Sequence, residues 1–347
     1  MTSSAPPSPP ENPNRLERAL GITDRHGWFL GWWQSLVVGS AFVIISLIGY
    51  HAPQPHDVPL AITGPTAEVQ QVEAQVATAA GDSYRFYPFD NAEAADAALH
   101  RGDVYAVVDL TDKPTVRYAG AQGPTVFAGL VHSLVPSVAA ATRTSPDLVD
   151  ALPLADDDAA ALPLFYLCFA VVLASYLFAI TTTTQARGLR AWGHWTSGAA
   201  LAVSLGVVGA LVARYGTGTI SAHTPTVAVV LMLTSVATGA TSYLLLRLST
   251  TFGSILGTII LIIAGSASGG VVPGEFLPAW LAALRPVLPM GVALTTIRDV
   301  TYFGGRHVVS GIVVLALWGL LPLLVATLLN RRRDAPTRAA DPAVAAP

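Results

Sequence analysis

Six stretches of the chain run for about 20 residues with uncharged interiors: Phe29–Tyr50, Leu162–Thr181, Ser197–Ala213, Thr226–Leu246, Phe252–Val272 and Val308–Leu329. A helix of that length crosses the roughly 30 Å hydrocarbon core of a bilayer, so the pattern predicts six transmembrane helices. Between the first and second the periodicity changes. Short β-rich runs at Val58–Thr63, Ser83–Phe89, Val104–Leu110 and Thr115–Tyr118 alternate with Ala-rich helical patterns at Thr66–Ala80, Asn91–Arg101 and Pro124–Thr142. Thr66 and Asn91 are N-cap candidates for the first two helices, since their side-chain oxygens can accept from the free amides of a first turn. A strand–helix–strand–helix–strand order predicts a small α/β domain over residues 52–158, with Pro146–Asp158 as an acidic linker. The expected fold class is an α-helical polytopic membrane protein: six spans, with a small external α/β domain between the first and second.

The stretch Gly265–Gly305 breaks the pattern before the last span. It turns at Gly269-Gly270 and contains Pro273, Pro278, Pro286 and Pro289, which rule out one continuous helix. Yet Phe276, Leu277, Trp280, Leu281, Leu284, Val287 and Leu288 are too apolar for a solvated loop. Broken apolar backbone between two spans belongs at the interface or partway into the membrane, shielded by protein. Residues 273–305 therefore read as a re-entrant segment within a five-helix domain at 160–330. Residues 1–14 read as a disordered tail, 29–50 as a retained first span, and 331–347 as a basic and then disordered tail. Residues 15–28 read equally as an amphipathic interface helix or a polar flank.

Composition agrees: 52% of the residues are hydrophobic and 12% charged, against about 25% charged in soluble domains. Trp28, Trp32, Trp33 and Tyr50 suit interfacial anchoring of the first span. Charge sets the orientation. Arg15, Arg18, Arg25, Arg187, Arg190, Arg247, Arg331, Arg332, Arg333 and Arg338 collect on one side, against Arg214, Arg285, Arg298 and Arg306 on the other. The positive-inside rule makes the first side cytoplasmic, with both termini, and puts residues 52–158 and the broken segment outside. The α/β domain holds 15 of the 22 acidic residues and 5 of the 19 basic ones, which suits a solvated domain.

Catalytic constellations are missing. The sequence has no GxxxxGK[ST] phosphate loop, HExxH, GxSxG or paired-carboxylate motif. His51 and His56 flank APQP, a weak metal signal. Asp156-Asp157-Asp158 reads as a solvated flank in preference to a cation site, and Arg214 and Arg247 at span ends read as snorkelling side chains. Cys168 is the single cysteine, so there is neither a disulfide framework nor a CxxC metal site. No catalytic, cofactor or metal residue is expected. The span interiors also lack Asp, Glu, Lys and His. Ion-coupled transporters need titratable or coordinating groups near the midplane, so energy for any transport has to come from elsewhere. Gly253 with Gly257, Gly265 with Gly269, and Gly206 with Gly209-Ala210 offer close helix contacts, within one subunit or across a dimer. The cytoplasmic stub Thr183–Gly193 is short, polar and basic with an aromatic end, a shape that can seat in a groove of a soluble partner.

Three stretches carry a family resemblance. Val58–Pro65 followed by Phe89–Leu110 resembles a strand-and-helix pattern of the external domain in one branch of type-2 ABC exporter membrane subunits, which includes the phage-infection-protein group. Thr183–Gly193 sits where that family has its coupling segment, although Gln185 and Arg187 stand where an acidic residue is common. Pro273–Gly305 resembles the family's proline-rich signature between the last two spans. The resemblance implies a permease subunit in the plasma membrane of a bacterium. It would form a homo- or heterodimer amid membrane lipid and be driven by a separate cytoplasmic ATP-binding cassette subunit. It implies coupling through Gln185, Arg187, Gly188, Arg190 and Trp192, and an outer gate at Pro273, Pro278, Trp280, Pro286, Pro289 and Arg298. Nucleic acid is not an expected partner. The alternative is a non-transporting surface protein, a phage-adsorption, adhesion or envelope-assembly factor acting through its external domain.

Overall fold

The computed structural model describes residues 27–50, 53–155, 158, 160–185, 191–268, 270 and 272–334. The chain opens with helix α1 (Gly27–Tyr50) and enters a five-stranded sheet: β1 (Val58–Thr63), β2 (Tyr84–Pro88), β3 (Ala106–Asp109), β4 (Thr115–Tyr118) and β5 (Asp147–Asp150). Helix α2 (Thr66–Ala80) links β1 to β2, α3 (Ala92–His100) links β2 to β3, and α4 (Pro124–Thr142) links β4 to β5. The order is β2-β1-β3-β4-β5; β1 runs parallel to β2 and β3, β3 antiparallel to β4, and β4 parallel to β5. Parallel crossovers share one hand. The β1-to-β2 and β2-to-β3 connections run in opposite directions along the sheet, so their helices must lie on opposite faces. Accordingly α2 and α4 bury Val72, Val76, Leu130 and Leu134 with Leu60, Ile62 and Val108 on one face. On the other face α3 buries Ala95, Ala98 and Leu99 with Ala61 and Val107.

Three sequence expectations fail here. Residues 147–150, read as part of an acidic linker, form the edge strand β5 along β4, and Asp158, read as solvated, is buried and accepts from the Leu162 amide at 3.2 Å. Four exposed residues in β5 hid the strand, because an edge strand paired on one side needs no alternation. Asn91 does cap α3, accepting from the Ala94 amide at 2.8 Å. Thr66 does not cap α2; Pro65 stands at that position and no side chain caps the helix. In α4 the turns widen to π geometry at Leu130–Leu134. Pro136 stands two residues beyond, and its missing amide and ring volume disrupt the regular ladder there.

The bundle follows as α5 (Leu162–Gln185), α6 (Ala191–Leu211, continued by wide turns at Val212–Gly216), α7 (Thr224–Leu248) and α8 (Thr250–Ser268). A broken segment then leads to α9 (Pro289–Tyr302) and α10 (Val308–Asp334). Among the described residues seven helices are long and apolar enough to cross a membrane: α1, α4, α5, α6, α7, α8 and α10. The seventh beyond the six spans expected from sequence is α4, which packs on the sheet. Of these seven, α7 is the most buried, and it contacts α5, α6, α8, α9 and α10. Its buried stretch includes Thr234, Ser235, Ala237, Thr238, Ala240, Thr241 and Ser242, and small side chains let neighbouring backbones approach. Ser175 of α5 donates to Ser235 at 2.7 Å. The glycines of the small-residue motifs also face this chain's own atoms: Gly253 the backbone of Leu245, Gly257 the ring of Tyr176, Gly206 the side chain of Met232. Helix α1 is fastened by Gln34, which donates to Ser254 at 3.0 Å, and by Tyr50, which donates to the Ala267 carbonyl at 2.9 Å.

The sheet domain and the bundle meet through two phenylalanines that bracket the broken segment. Phe276 is 3% exposed and belongs to the core on the α2/α4 face of the sheet. Phe303 is 4% exposed and belongs to the core on the α3 face. Each ring lies against a glycine. A Cβ on Gly129 would stand 3.0 Å from the Phe276 ring, and one on Gly102 3.1 Å from the Phe303 ring. Gly102 also has φ +73°, which side-chain-bearing residues rarely adopt. Deleting a buried phenylalanine ring costs about 3–5 kcal/mol. Phe276→Ala and Phe303→Ala should each lower the thermal midpoint in detergent, and nearly additively, because a sheet separates the two sites. Thermal unfolding of the two single variants and the double variant checks this.

Candidate functional site

Between the two phenylalanines the chain takes a path that cannot fill the space beneath the sheet. After α8 comes a short turn at Gly274–Phe276, then a one-turn helix at Ala279–Ala282, then α9. Pro273 precedes the first, Pro278 caps the second, and Pro289 occupies the first turn of α9, each a position where proline's fixed φ and missing amide are tolerated. Helix α9 is nearly all buried, from Pro289 to Val300 with Thr295 as the exposed exception. The sequence reading of 273–305 as a broken re-entrant segment did not single out this helix. Its signal was present: Val292, Ala293, Thr296, Ile297 and Val300 repeat at helical spacing behind Pro289.

The result is a cavity of about 920 Å³ at the junction. The sheet domain contributes His56, Arg101, Gly102, Tyr105 and Gln122; the broken segment contributes Glu275, Leu277, Pro278 and Arg285; α9 contributes Val292, Thr296, Arg298 and Asp299. Helix α10 and the residues before it close the wall with His307, Ser310, Gly311 and Val314. That volume lies within the range of ligand sites, about 300–1,000 Å³. A smaller, mainly apolar cavity of about 200 Å³ lies among α5, α6 and α7, beside His194, Trp195 and Tyr243.

Most charges in the large cavity have partners. The Tyr105 hydroxyl donates to Glu275 Oε2 at 2.5 Å across 170 residues of sequence, and the Glu275 carbonyl accepts from the His56 amide at 2.8 Å. Asp299 Oδ2 accepts from the His307 amide at 2.8 Å. Arg101 pairs with Asp103 at 2.8 Å, and Asp103 also meets Arg306 at 3.2 Å. Arg285 donates to the Val272 carbonyl at 2.9 Å and more weakly to Thr295 Oγ1 at 3.4 Å.

Arg298 is different. It is 4% exposed, and its Nη2 is buried without a hydrogen-bond partner. Among the described residues no carboxylate lies within ion-pairing distance of it, although Tyr105, Tyr302 and Cys168 lie nearby. Burial, and then the positive charge of Arg285, push its guanidinium down to about 10, so it stays charged at neutral pH. An ion held in such a place without a partner costs several kcal/mol.

The sequence-expected outer-gate residues all fall in or beside this junction. Pro278, Pro286 and Arg298 line the cavity, Pro273 and Pro289 are buried in its supporting turns, and Trp280 is 46% exposed at the protein surface. Of the coupling residues, Gln185 ends α5 and is exposed, and Trp192 is the second residue of α6. Arg187, Gly188 and Arg190 lie outside the described residues, as do His51, Asp156, Asp157 and Gly269. No group of three metal-ligating side chains occurs among the described residues. Arg214, expected to snorkel, donates to the Ile220 carbonyl at 3.1 Å, while Arg247 lies 5.9 Å from the Tyr243 ring centre. Sequence reasoning missed Tyr105, Glu275, Arg285, Asp299 and His307 as site residues, because no local motif joins positions so far apart.

Tyr105→Phe removes the donor from Glu275 and should cost about 1.5–3 kcal/mol, the range for hydrogen bonds to charged groups. Glu275→Gln should cost less, since an amide oxygen still accepts. The Tyr105 hydroxyl is held well above its ordinary value of 10.0 by burial, then by the Glu275 charge and hydrogen bond. Its contribution is therefore complete below about pH 10 and lost as pH rises through the higher folded-state value. Stability–pH curves of Tyr105→Phe should lack that alkaline loss. Comparison with protein-family models, with curated proteins and with solved structures finds no match for this chain.

Proposed function

We propose that the chain is the membrane-spanning permease subunit of an ATP-driven exporter, moving an amphipathic or envelope-related solute outward with a separate cytoplasmic ATP-binding subunit. In this reading α1, α5, α6, α7, α8 and α10 are the six spans, with both termini cytoplasmic. The sheet domain and the junction cavity face outward, and the site is the plasma membrane of a bacterium. The packing of α4 on the sheet supports leaving it out of the span count.

The observation that carries the reading is the chemistry of the spans. Their interiors hold no Asp, Glu, Lys or His, and α7 at the centre of the bundle buries hydroxyl-bearing and small residues instead. A bundle without a bound driving ion needs its energy delivered at a loop. The stub between α5 and α6, from Gln185 through Arg187, Gly188 and Arg190 to Trp192, is the polar and basic one placed for that. Closure of a nucleotide-bound ATPase dimer would push such stubs and rotate the helices, a two-state change at an interface. A homo- or heterodimer of permease subunits is part of the proposal. Trp280 at the outer surface suits the interfacial depth expected of a gate element.

The test is ATP turnover in reconstituted vesicles with a co-purified Walker-motif ATPase. Turnover should rise when this chain is present, and the double substitution Arg187→Glu with Arg190→Glu should uncouple hydrolysis from transport while leaving thermal stability unchanged. Turnover that never depends on the chain contradicts the reading and favours a non-transporting surface protein, in which the sheet domain alone would account for binding.

A further inference from the structure

The span chemistry leaves the junction cavity unexplained. Arg298 sits on the fourteen-residue helix α9, between the sheet domain and α10. A guanidinium that is 4% exposed, with a buried Nη2 that finds no hydrogen-bond partner among the described residues, destabilises the protein unless something meets it. The neighbouring groups do not. Glu275 is engaged by Tyr105 and Asp299 by the His307 amide. Arg285, the nearest cation in electrostatic effect, repels it. The Tyr105 and His307 donors are neutral and leave both carboxylates charged, but among the described residues neither carboxylate ion-pairs with Arg285 or Arg298. The two arginines keep their guanidinium forks free of carboxylates, and such planar forks suit the oxygens of phosphate or carboxylate. The remaining lining has a different character: Leu277, Pro278, Ala282, Pro286, Val292 and Val314 are apolar. A volume of about 920 Å³ leaves ample room beyond a bare ion.

We infer that the junction cavity binds an amphipathic oxyanion, its phosphate on Arg298 with Arg285 in support and its apolar body along the proline-rich segment. The chemistry of the head group is shared by a lipid phosphate and by free inorganic phosphate; the apolar lining selects the lipid. The site holds whether or not the chain works with an ATPase, and it assigns Arg298 the role of a ligand-contacting residue, not a structural one.

The test is native mass spectrometry of the detergent-purified full chain with three probes: dihexanoyl phosphatidic acid, inorganic phosphate, and neutral dihexanoylglycerol. The expected result is binding of the phosphatidic acid, weaker binding of inorganic phosphate and none of the neutral lipid. Arg298→Met should weaken phosphatidic acid binding by about ten- to a hundredfold, the value of a charge-assisted hydrogen bond to a buried group. Arg298→Lys, which keeps the charge but loses the fork, should fall between. Thermal unfolding without ligand separates binding from structure. The Met variant should be at least as stable as the native chain, because it removes an unpaired buried charge. Equal binding by the Met variant, or equal binding of the neutral lipid, overturns the assignment. So does a Met variant that loses stability while keeping its ligand. Inorganic phosphate binding as tightly as the lipid overturns the apolar half of the site.

Discussion

Two phenylalanine rings hold the sheet domain to the helices, and much of the rest of the structure follows from where they lie. Phe276 enters the core on one face of the sheet and Phe303 the core on the other, so the stretch between them is fixed at both ends. Those anchors lie on opposite sides of a sheet and above a bundle, which no straight helix can join. The chain answers with a tight turn, a single helical turn and then α9, punctuated by proline where the direction changes. Glycines at 129 and 102 let the rings reach the backbone. The two faces of the sheet thus grip the same short segment.

A segment held in this way makes a poor filler. The space enclosed by the sheet, the broken backbone and α10 is left as a cavity, and the residues that face it come from parts of the chain far apart in sequence. Tyr105 and Glu275 meet across it, and Asp103 joins Arg101 to Arg306 at its edge. These contacts tie the sheet to the bundle by polar bonds as well as by the aromatic rings. In the proposed exporter, motion of the bundle would be felt by the sheet domain through this joint, and whatever occupies the cavity would be felt by both.

The parts legible in the sequence were those governed by local pattern. The apolar runs at 162–181 and 308–329 fall within α5 and α10, and the runs at 58–63 and 115–118 coincide with β1 and β4. Asn91 was read as a cap because capping is a short-range bond. The failures have physical reasons. β5 carries no buried residue and so had no alternation to show, and the proline-dense start of α9 masked a periodic helix behind it. Asp158 looked like one of three solvated acids, but is buried against the start of α5. The cavity could not be read at all, because Arg298 is an unremarkable arginine until the fold buries its Nη2 with no hydrogen-bond partner among the described residues. Proline spacing marked the right stretch of chain; only packing gave that stretch its role as a joint.

The central claim is that the sheet domain and the broken segment form one body with the bundle, and a distance measurement tests it directly. Cys168 is buried at 0% exposure and will not compete for label, so spin labels can be placed on Asp112→Cys at the sheet and Val309→Cys at the start of α10, both exposed positions. Double electron–electron resonance in lipid nanodiscs should give one narrow distance distribution, broadening when Phe276 and Phe303 are both replaced by alanine. A broad distribution in the chain with both phenylalanines intact would contradict the account.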